Sequence, residues 1–509
     1  MKSYSRRFIF CSFFFVLIAA LVGCGNGISQ RNTNRLVVGM EGDAVSLDPH
    51  ASNITISSQY KVQMFETLIN LDKDGNAIGV LANDWRRIDD YTYEFDLKEG
   101  VYFHNGEEMI AEDVAFSIRR AASSPQVAAI MGDFDPEGVE VVDQYTVRIR
   151  THEPFAPFLN NLAHPAAAVL SQLAVEYYGD ENFGHNPVGT GPFEFVNWVA
   201  GNHVEFIRFE NYHGELPVFE TLIMRSMIEP STRLVSLETG DIDIAIIGRN
   251  DMNRVKNHND LNLERLINYQ IFYVGFNTRR NRMDDVRIRQ AINYAINVDE
   301  IHETVMLGVG ETLSSPLTSN VFGARTDLPP HPFNQERARE LLAQAGYADG
   351  FTANLIVNEF PERNEWAEIV QNQLGQVGIK IEITSVDNAQ FLDETAEGNY
   401  DMFVLAWTSV TGDADYGLFP LFHSSNHGAP GNRTFFNDPE MDDLLERARS
   451  SFDNEERIEL YDEIQERLVE AAPMVLLASG EIMAGVRNDV RNVNLAPTNH
   501  VRFHTVTFD

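Results

Sequence analysis

The chain has 509 residues, 44% of them hydrophobic, so it is too long for one hydrophobic core and too apolar for a disordered protein. Its 75 acidic residues outnumber the 39 lysines and arginines, which gives a formal charge of −36. This acidic excess repels phosphate backbones, so it argues against nucleic acid as a partner and predicts a heavily solvated surface.

The N-terminus reads as an export signal. A basic start is followed by an apolar stretch over residues 8–21, which is too short to span a bilayer but typical of a signal peptide. Residues 21–24, Leu-Val-Gly-Cys, resemble the lipobox of bacterial lipoproteins. That resemblance implies a lipoprotein signal peptide over 1–23, cleavage before Cys24 and acylation of its thiol. Polar residues then predict a flexible tether, so 24–35 would hold the lipidated Cys and this tether.

Strand patterns dominate the first half of the folded chain. Residues 36–40 are continuously apolar and predict a buried strand, and residues 91–97 alternate between apolar and polar with a period of two. Asp74-Gly75 predicts a hairpin turn between the segments 68–71 and 77–81.

Helix patterns are clearer in the second half. Asp285 is placed to cap a helix over residues 286–298, whose apolar residues recur at helical spacing. Further helices are predicted over 335–345, over 362–377, from Pro439 onwards and over 455–471. Strands alternating with helices indicate an α/β fold.

The sequence contains no motif that would indicate an enzyme. It lacks a Walker A loop, a GxGxxG fingerprint, an HExxH helix and a GxSxG elbow. Both cysteines lie within the first 24 residues, so the folded body has no Cys-based zinc site. His423 and His427 stand four apart, but the Ser, Asn, Gly and Pro around them predict a loop. We therefore expect no metal, no cofactor and no catalytic residue.

Short blocks spread over residues 36–509 carry a family resemblance. In chain order they include LDPH at 47–50, FETL at 65–68, VYFHNG at 101–106, AEDV at 111–114, PVGTGPF at 187–193, ETGDID at 238–243 and RIRQAI at 287–292. This ordered set resembles the bacterial solute-binding proteins of the peptide, nickel and oligopeptide class (extracellular solute-binding protein family 5), which serve ABC importers.

The resemblance implies a two-lobed periplasmic-binding-protein-like fold with a hinge and an inter-lobe cleft. Lobe I would take residues 36–275 plus 480–509, and lobe II residues 276–479. Ligand would be captured by hinge closure and passed to the permease subunits of the transporter. The expected protein is a monomer, attached only by its lipid to the outer face of the cytoplasmic membrane or held in the periplasm.

The segment around Trp407 is the predicted binding region. Dipeptide receptors of this class place an amine-binding Asp three residues after the Trp, where this chain has Val410. The following run, TGDADYGLFPLF from Thr411, looks closer to the glutathione-binding receptors, as does LAHPAAA at 162–168. We therefore expect Trp407 to line the pocket and Asp413, Asp415 or both to bind the ligand's ammonium, although either Asp could instead cap a helix.

Arg363 lies near where dipeptide receptors place a carboxylate-binding Arg. Alternatively, Arg363 could be a solvated residue in the first turn of a helix. The favoured ligand is a short peptide, with glutathione or a related di- or tripeptide first. The same fold could instead bind a nickel chelate, an opine or a sugar. A surface lipoprotein with a sensing or chaperone role remains a further alternative.

Overall fold

The computed structural model describes residues 33–72, 75–328 and 331–509, so the predicted signal peptide, Cys24 and most of the tether lie outside the described residues. The strands are β1 Arg35–Met40, β2 Ile69–Leu71, β3 Ala77–Gly79, β4 Ala82–Arg87, β5 Thr92–Leu97, β6 Glu140–Asp143, β7 Thr146–Arg150, β8 Phe193–Val199, β9 His203–Arg208, β10 Thr221–Ser226, β11 Ile244–Ile246, β12 Leu261–Phe276, β13 Phe351–Asn358, β14 Ile379–Val386, β15 Met402–Thr408, β16 Met474–Arg487, β17 Val490–Arg491, β18 Asn494–Leu495, β19 Val501–Arg502 and β20 Thr507–Phe508.

Helices surround these strands, which confirms the predicted α/β class. They are α1 Thr55–Lys61, α2 Ala111–Ala122, α3 Ala128–Met131, α4 Phe158–Leu162, α5 Gln172–Tyr178, α6 Asp180–Phe183, α7 Pro230–Thr239, α8 Met252–Lys256, α9 Val286–Ala295, α10 Val298–Thr304, α11 Gln335–Gln344, α12 Pro361–Gly375, α13 Asn388–Glu397, α14 Ala414–Phe422, α15 Pro439–Ser450 and α16 Asn454–Ala471. In the described parts of the chain, no helix is both long and apolar enough to cross a membrane.

A ribbon of two long antiparallel strands, β12 and β16, joins the two halves of one large sheet. The sheet order is β14-β13-β15-β12-β16-β11-β1-β10-β9-β8. At one end of the ribbon β15 pairs with residues 270–276 of β12, and at the other end β11 pairs with residues 484–486 of β16. Each end of the ribbon therefore belongs to a different half of the protein.

The hydrophobic cores follow this division into two lobes. Lobe I has cores drawn from residues 36–246 and 482–506, and a smaller four-stranded sheet of β4 to β7 packs within it. Lobe II has cores drawn from residues 269–478. The two-lobed architecture expected from the family resemblance is thus confirmed, while the lobe limits predicted at 275/276 and 479/480 stay a prediction.

The ladder between the two long strands is irregular at two points, and the wider irregularity lies at the lobe junction. The register shifts between Ile267 and Ile271, opposite Ser479-Gly480. There Gly480 leaves room for the Asn268 side chain, because a Cβ at Gly480 would lie 2.4 Å from the Asn268 amide oxygen. The irregularity lies where the chain passes from one lobe to the other, which suits a hinge.

The helix predictions are confirmed apart from their ends. Asp285 and Asp438 cap α9 and α15, each through a side-chain oxygen that accepts a backbone N–H. However, α9 ends at Ala295 rather than at residue 298. Asn297 interrupts the helix, because its side chain caps α10 by accepting the Glu300 N–H.

Candidate functional site

The larger cavity at the lobe junction has walls from both lobes. Its volume is about 420 Å³. Lobe I contributes residues that include Glu41, Thr55, Gln59 and Arg249, lobe II contributes residues that include Phe272, Met306 and Glu362, and the ribbon contributes Asn268, Gln270 and Gly480. A solute held there would touch both lobes at once.

A smaller cavity of about 190 Å³ also lies at this junction. The tip of the β2 hairpin, the α4 region and the C-terminal segment 494–504 form most of its wall. Lobe II closes the cavity with Val410 and Thr411, and the ribbon contributes Tyr269. Loop 411 is held against lobe I because Asn160 Nδ2 donates to the Thr411 carbonyl at 3.1 Å.

Two arginines connect the lobes at separate places. Arg249 of lobe I pairs with Glu362 at 2.7 Å and Glu365 at 2.6 Å, both on α12 of lobe II. Arg449 of lobe II pairs with Asp133 of lobe I at 2.8 Å. The lobes are therefore in direct contact at two places.

Arg363 lies in the first turn of α12, behind one wall of the larger cavity. Its guanidinium carbon is 5.1 Å from the ring centre of Phe272, a residue of that wall, and 4.9 Å from that of Trp366. The residue is half-buried, and its Nη1 is buried without a hydrogen-bond partner in the described chain. Burial lowers the pKa of Arg363 to about 10.

Asp413 occupies the capping position that the sequence left open. Its Oδ1 accepts the Asp415 N–H at 2.9 Å and so caps α14. The same oxygen accepts Arg457 Nη2 at 2.7 Å and lies 3.4 Å from the Tyr461 hydroxyl. Asp413 is 1% exposed. Three groups therefore donate hydrogen bonds to Oδ1 of this buried carboxylate.

Asp415 is also buried but is less well paired. Its nearest cation is Arg449, whose Nε lies 3.6 Å from Oδ1, and that arginine is shared with Asp133. Burial raises the pKa of Asp415 to about 6. The positive charge of Arg449 acts to lower this pKa, whereas the neighbouring Asp413 raises it further. This carboxylate can therefore gain more from an additional cation than Asp413 can.

Trp407 is the last residue but one of β15 and lies close to these acids. Its Nε1 donates to the Tyr416 carbonyl at 2.8 Å, and the two rings stack with centres 5.7 Å apart. Neither Trp407 nor the two acids lie on the wall of either cavity, whereas Val410 and Thr411 do. The structure brings Trp407, Asp413 and Asp415 together around the start of α14 and leaves Arg363 near the other cavity.

Sequence analysis missed the polar groups of the smaller cavity. They are His164, His500, Arg502 and His504. A signal was present, because residues 500, 502 and 504 alternate along the chain, and alternate residues of an extended segment lie on one face. His164 stands within the LAHPAAA block, but nothing local indicates its proximity to residue 500.

No group of three or more His, Cys, Asp or Glu side chains in the described ranges is arranged to hold a metal ion. His423 and His427 are engaged separately. His423 Nδ1 is 2.7 Å from the Ser425 hydroxyl, and His427 Nε2 is 2.9 Å from the Phe436 carbonyl. Each histidine therefore has its own partner within this segment, and their four-residue spacing needs no metal ion to explain it.

Comparison with known proteins agrees with this architecture. The glutathione-binding protein GsiB of Pectobacterium atrosepticum is 32% identical over 463 residues, which cover 88% of this chain and 89% of the relative, and that of Salmonella typhi is 31% identical with 88% and 90% covered. The Helicobacter pylori periplasmic binding protein DppA, in complex with peptide STSA, superposes with a TM-score of 0.80 at 26% identity and covers 93% of this chain and 98% of its own. NikA of Brucella suis, at 24% identity with 93% and 100% covered, shares the fold with a TM-score of 0.85.

The family assignment follows from a second comparison. Residues 76–429 match the sequence profile of the bacterial extracellular solute-binding proteins, family 5 middle region. Proteins of this family bind peptides or similar solutes for ABC importers and are not enzymes. The chain therefore belongs to the bacterial extracellular solute-binding proteins of family 5.

Proposed function

We propose that this receptor captures a short peptide, with glutathione or a related di- or tripeptide favoured, and delivers it to its permease. The observation that carries the proposal is the pair of junction cavities whose walls come from both lobes. A ligand there is buried when the lobes close and is released when they part. Similarity to the glutathione-binding proteins supports glutathione as the first candidate.

Arg363 is the proposed partner of a ligand carboxylate. A buried Nη1 without a partner is unfavourable until an acceptor arrives, and a carboxylate accepts charge-assisted hydrogen bonds. Phe272 stands between the guanidinium and the open cavity. Ligand entry would therefore have to turn that ring or the arginine, a rotamer change that is common at binding sites.

Asp415 is the proposed partner of the ligand's ammonium, with Trp407 beside it and Asp413 fixing the loop. A buried ammonium needs a negative partner, and Asp415 is the acid of this pair whose internal pairing is weaker. Asp413 contributes indirectly, because its cap and its bond to Arg457 hold the start of α14.

We further propose that Cys24 carries the lipid that holds a monomeric receptor at the outer face of the cytoplasmic membrane. Two acyl chains are enough for stable attachment. Cys24→Ala should move the protein from the membrane pellet to the soluble fraction in a fractionation experiment. Equal pelleting of variant and wild type would contradict the anchor.

A thermal-shift screen tests the peptide proposal. A ligand that binds only the folded state adds about 2.7 kcal/mol of stability at 100 times its Kd. The screen should compare glutathione, dipeptides, a nickel chelate, an opine and a sugar on the mature protein. We expect peptides to raise the melting temperature. A response to the chelate, opine or sugar alone would replace the peptide with that class of solute, and no response to any would favour a sensing or chaperone role.

A further inference from the structure

The wall of the smaller cavity carries hydrogen-bond donors that the fold does not use. His164 and His500 both lie on its wall and are only 6% and 8% exposed. Nδ1 of His164 accepts the Ala166 N–H at 3.1 Å, so the proton of the neutral ring is on Nε2. No described group accepts from Nε2, and the His500 ring has no hydrogen-bond partner in the described chain. These rings therefore face the cavity with donors available.

The charges around the two imidazoles are positive. Burial lowers the pKa of each ring to about 3. At His500 the charges of His164, Arg502 and Lys61 lower the pKa further, because they oppose protonation of the ring. Lys61 is the charged group that acts on His164. Its Nζ donates to the Ser52 carbonyl at 2.6 Å. Among the described residues, no acid contributes to the pKa shift of either ring, although the whole chain has a formal charge of −36.

Arg502 extends the same positive wall. Its Nη1 donates to the Val62 carbonyl at 3.3 Å, and it takes part in no ion pair within the described residues. Burial lowers the pKa of Arg502, and the negative charge of Glu66 partly offsets this by raising it. Glu66 itself is occupied, because it accepts hydrogen bonds from Thr190, Tyr212 and His213 at 2.8–2.9 Å.

One acid among the described wall residues could compete for these donors. Asp72 lies at the edge formed by the β2 hairpin, where its Oδ1 accepts the Asn76 N–H at 2.9 Å. It is absent from the charges that act on His164 and His500. The deep part of the cavity therefore remains a cluster of donors and positive charge, which is the environment that an anion requires.

We infer that this cavity is an anion pocket in which His164, His500 and Arg502 bind a carboxylate of the peptide held in the cleft. The inference rests on the proposed function and narrows it to peptides with a second acidic group, such as an acidic side chain or a γ-glutamyl carboxylate. Arg363 lies at the other cavity, so the two sites would hold two different carboxylates of one ligand. Val410 suits this arrangement, because an apolar residue there adds no negative charge to the pocket.

Calorimetry with matched ligand pairs tests the pocket. The pairs are Ala-Glu with Ala-Gln, and glutathione with its monoethyl ester. Wild-type protein should bind the acidic member of at least one pair tenfold or more tightly. Arg502→Gln and His500→Phe should each reduce that preference at least fivefold. Arg491→Gln is the control, because Arg491 lies shortly before residues 494–504 and pairs with Asp509 at the surface.

The outcomes separate the pocket from the wider proposal. The anion-pocket inference is wrong, while the peptide-receptor proposal stands, in either of two cases. In the first, wild-type protein binds peptides without preferring the acidic members. In the second, the variants lose affinity equally for both members of each pair. If no peptide of either charge binds, both proposals fall. If inorganic phosphate alone raises the melting temperature and acidic peptides do not, the cavity takes free anions and is no subsite of the ligand.

Discussion

The segments 406–416 and 494–504 both lie at the lobe junction, but their polar groups are in opposite states. In the first segment Asp413 has three internal partners, and the Trp407 indole N–H is used by a backbone carbonyl. In the second segment the His500 ring has no hydrogen-bond partner in the described chain, and the Arg502 guanidinium has one backbone acceptor. The first segment has the residue types expected of a binding site, whereas the second has the unused donors.

This difference shows why residue type alone is a poor guide to ligand contacts. A buried charge with a complete set of partners stabilises the fold and gains little from a ligand, since a new partner would have to displace an old one. A buried donor without a partner costs free energy in the empty receptor and recovers it when an acceptor binds. Asp415 stands between these cases, because its nearest cation is 3.6 Å away and shared.

The largest expected effect is on stability, at Asp413. Asp413→Asn keeps a capping oxygen but leaves Arg457 buried without its carboxylate, and breaking a buried pair typically costs about 3–5 kcal/mol. Calorimetric melting without ligand should show a large drop in melting temperature. Glutamate at position 413 is a useful comparison, since it keeps the charge and changes the geometry. A wild-type melting temperature for Asp413→Asn would show that the Arg457 pair is dispensable.

The next effect is on binding, at Asp415. Asp415→Asn should weaken binding of an ammonium-bearing peptide by about 2–5 kcal/mol if the charged pair is fully buried. Its melting temperature at pH 7.5 should hold or rise, because burial has raised the pKa of the carboxyl and its ionised form therefore opposes folding at that pH. Titration calorimetry and melting on the same sample give both values. Unchanged affinity would move the ammonium site away from the start of α14.

The sequence could predict local features of the fold because their causes are local. Asp285 and Asp438 each cap a helix within three residues of themselves, and the period-two pattern of 91–97 needs only its own strand. The site is different. Arg457, 44 residues from Asp413, decides whether that acid is available, and the smaller cavity joins Tyr269 to positions 164, 410 and 500. Such long-range proximity leaves no trace in spacing.

A smaller effect is the pH dependence of binding. The ligand's ammonium requires ionised Asp415, whose pKa is about 6 in the empty receptor. Affinity should therefore be constant above about pH 7 and fall as the pH drops below 6, approaching tenfold per unit. Asp415→Asn should remove this dependence between pH 5 and 7.5. A fall of the same size in the variant would assign the titration to another group.

The smallest expected effect is on the stability of the empty receptor, at His500. Its ring has no hydrogen-bond partner to lose, so His500→Phe exchanges a desolvated polar ring for an apolar one of similar shape. Such an exchange is nearly neutral, and we expect the free energy of unfolding to change by less than about 1 kcal/mol. The informative comparison is with Asp413→Asn under the same conditions. If His500 serves the ligand and Asp413 serves the fold, His500→Phe should melt like wild type when empty yet gain less from glutathione. A drop as large as that of Asp413→Asn would make His500 a structural residue and would remove the contrast between the two segments.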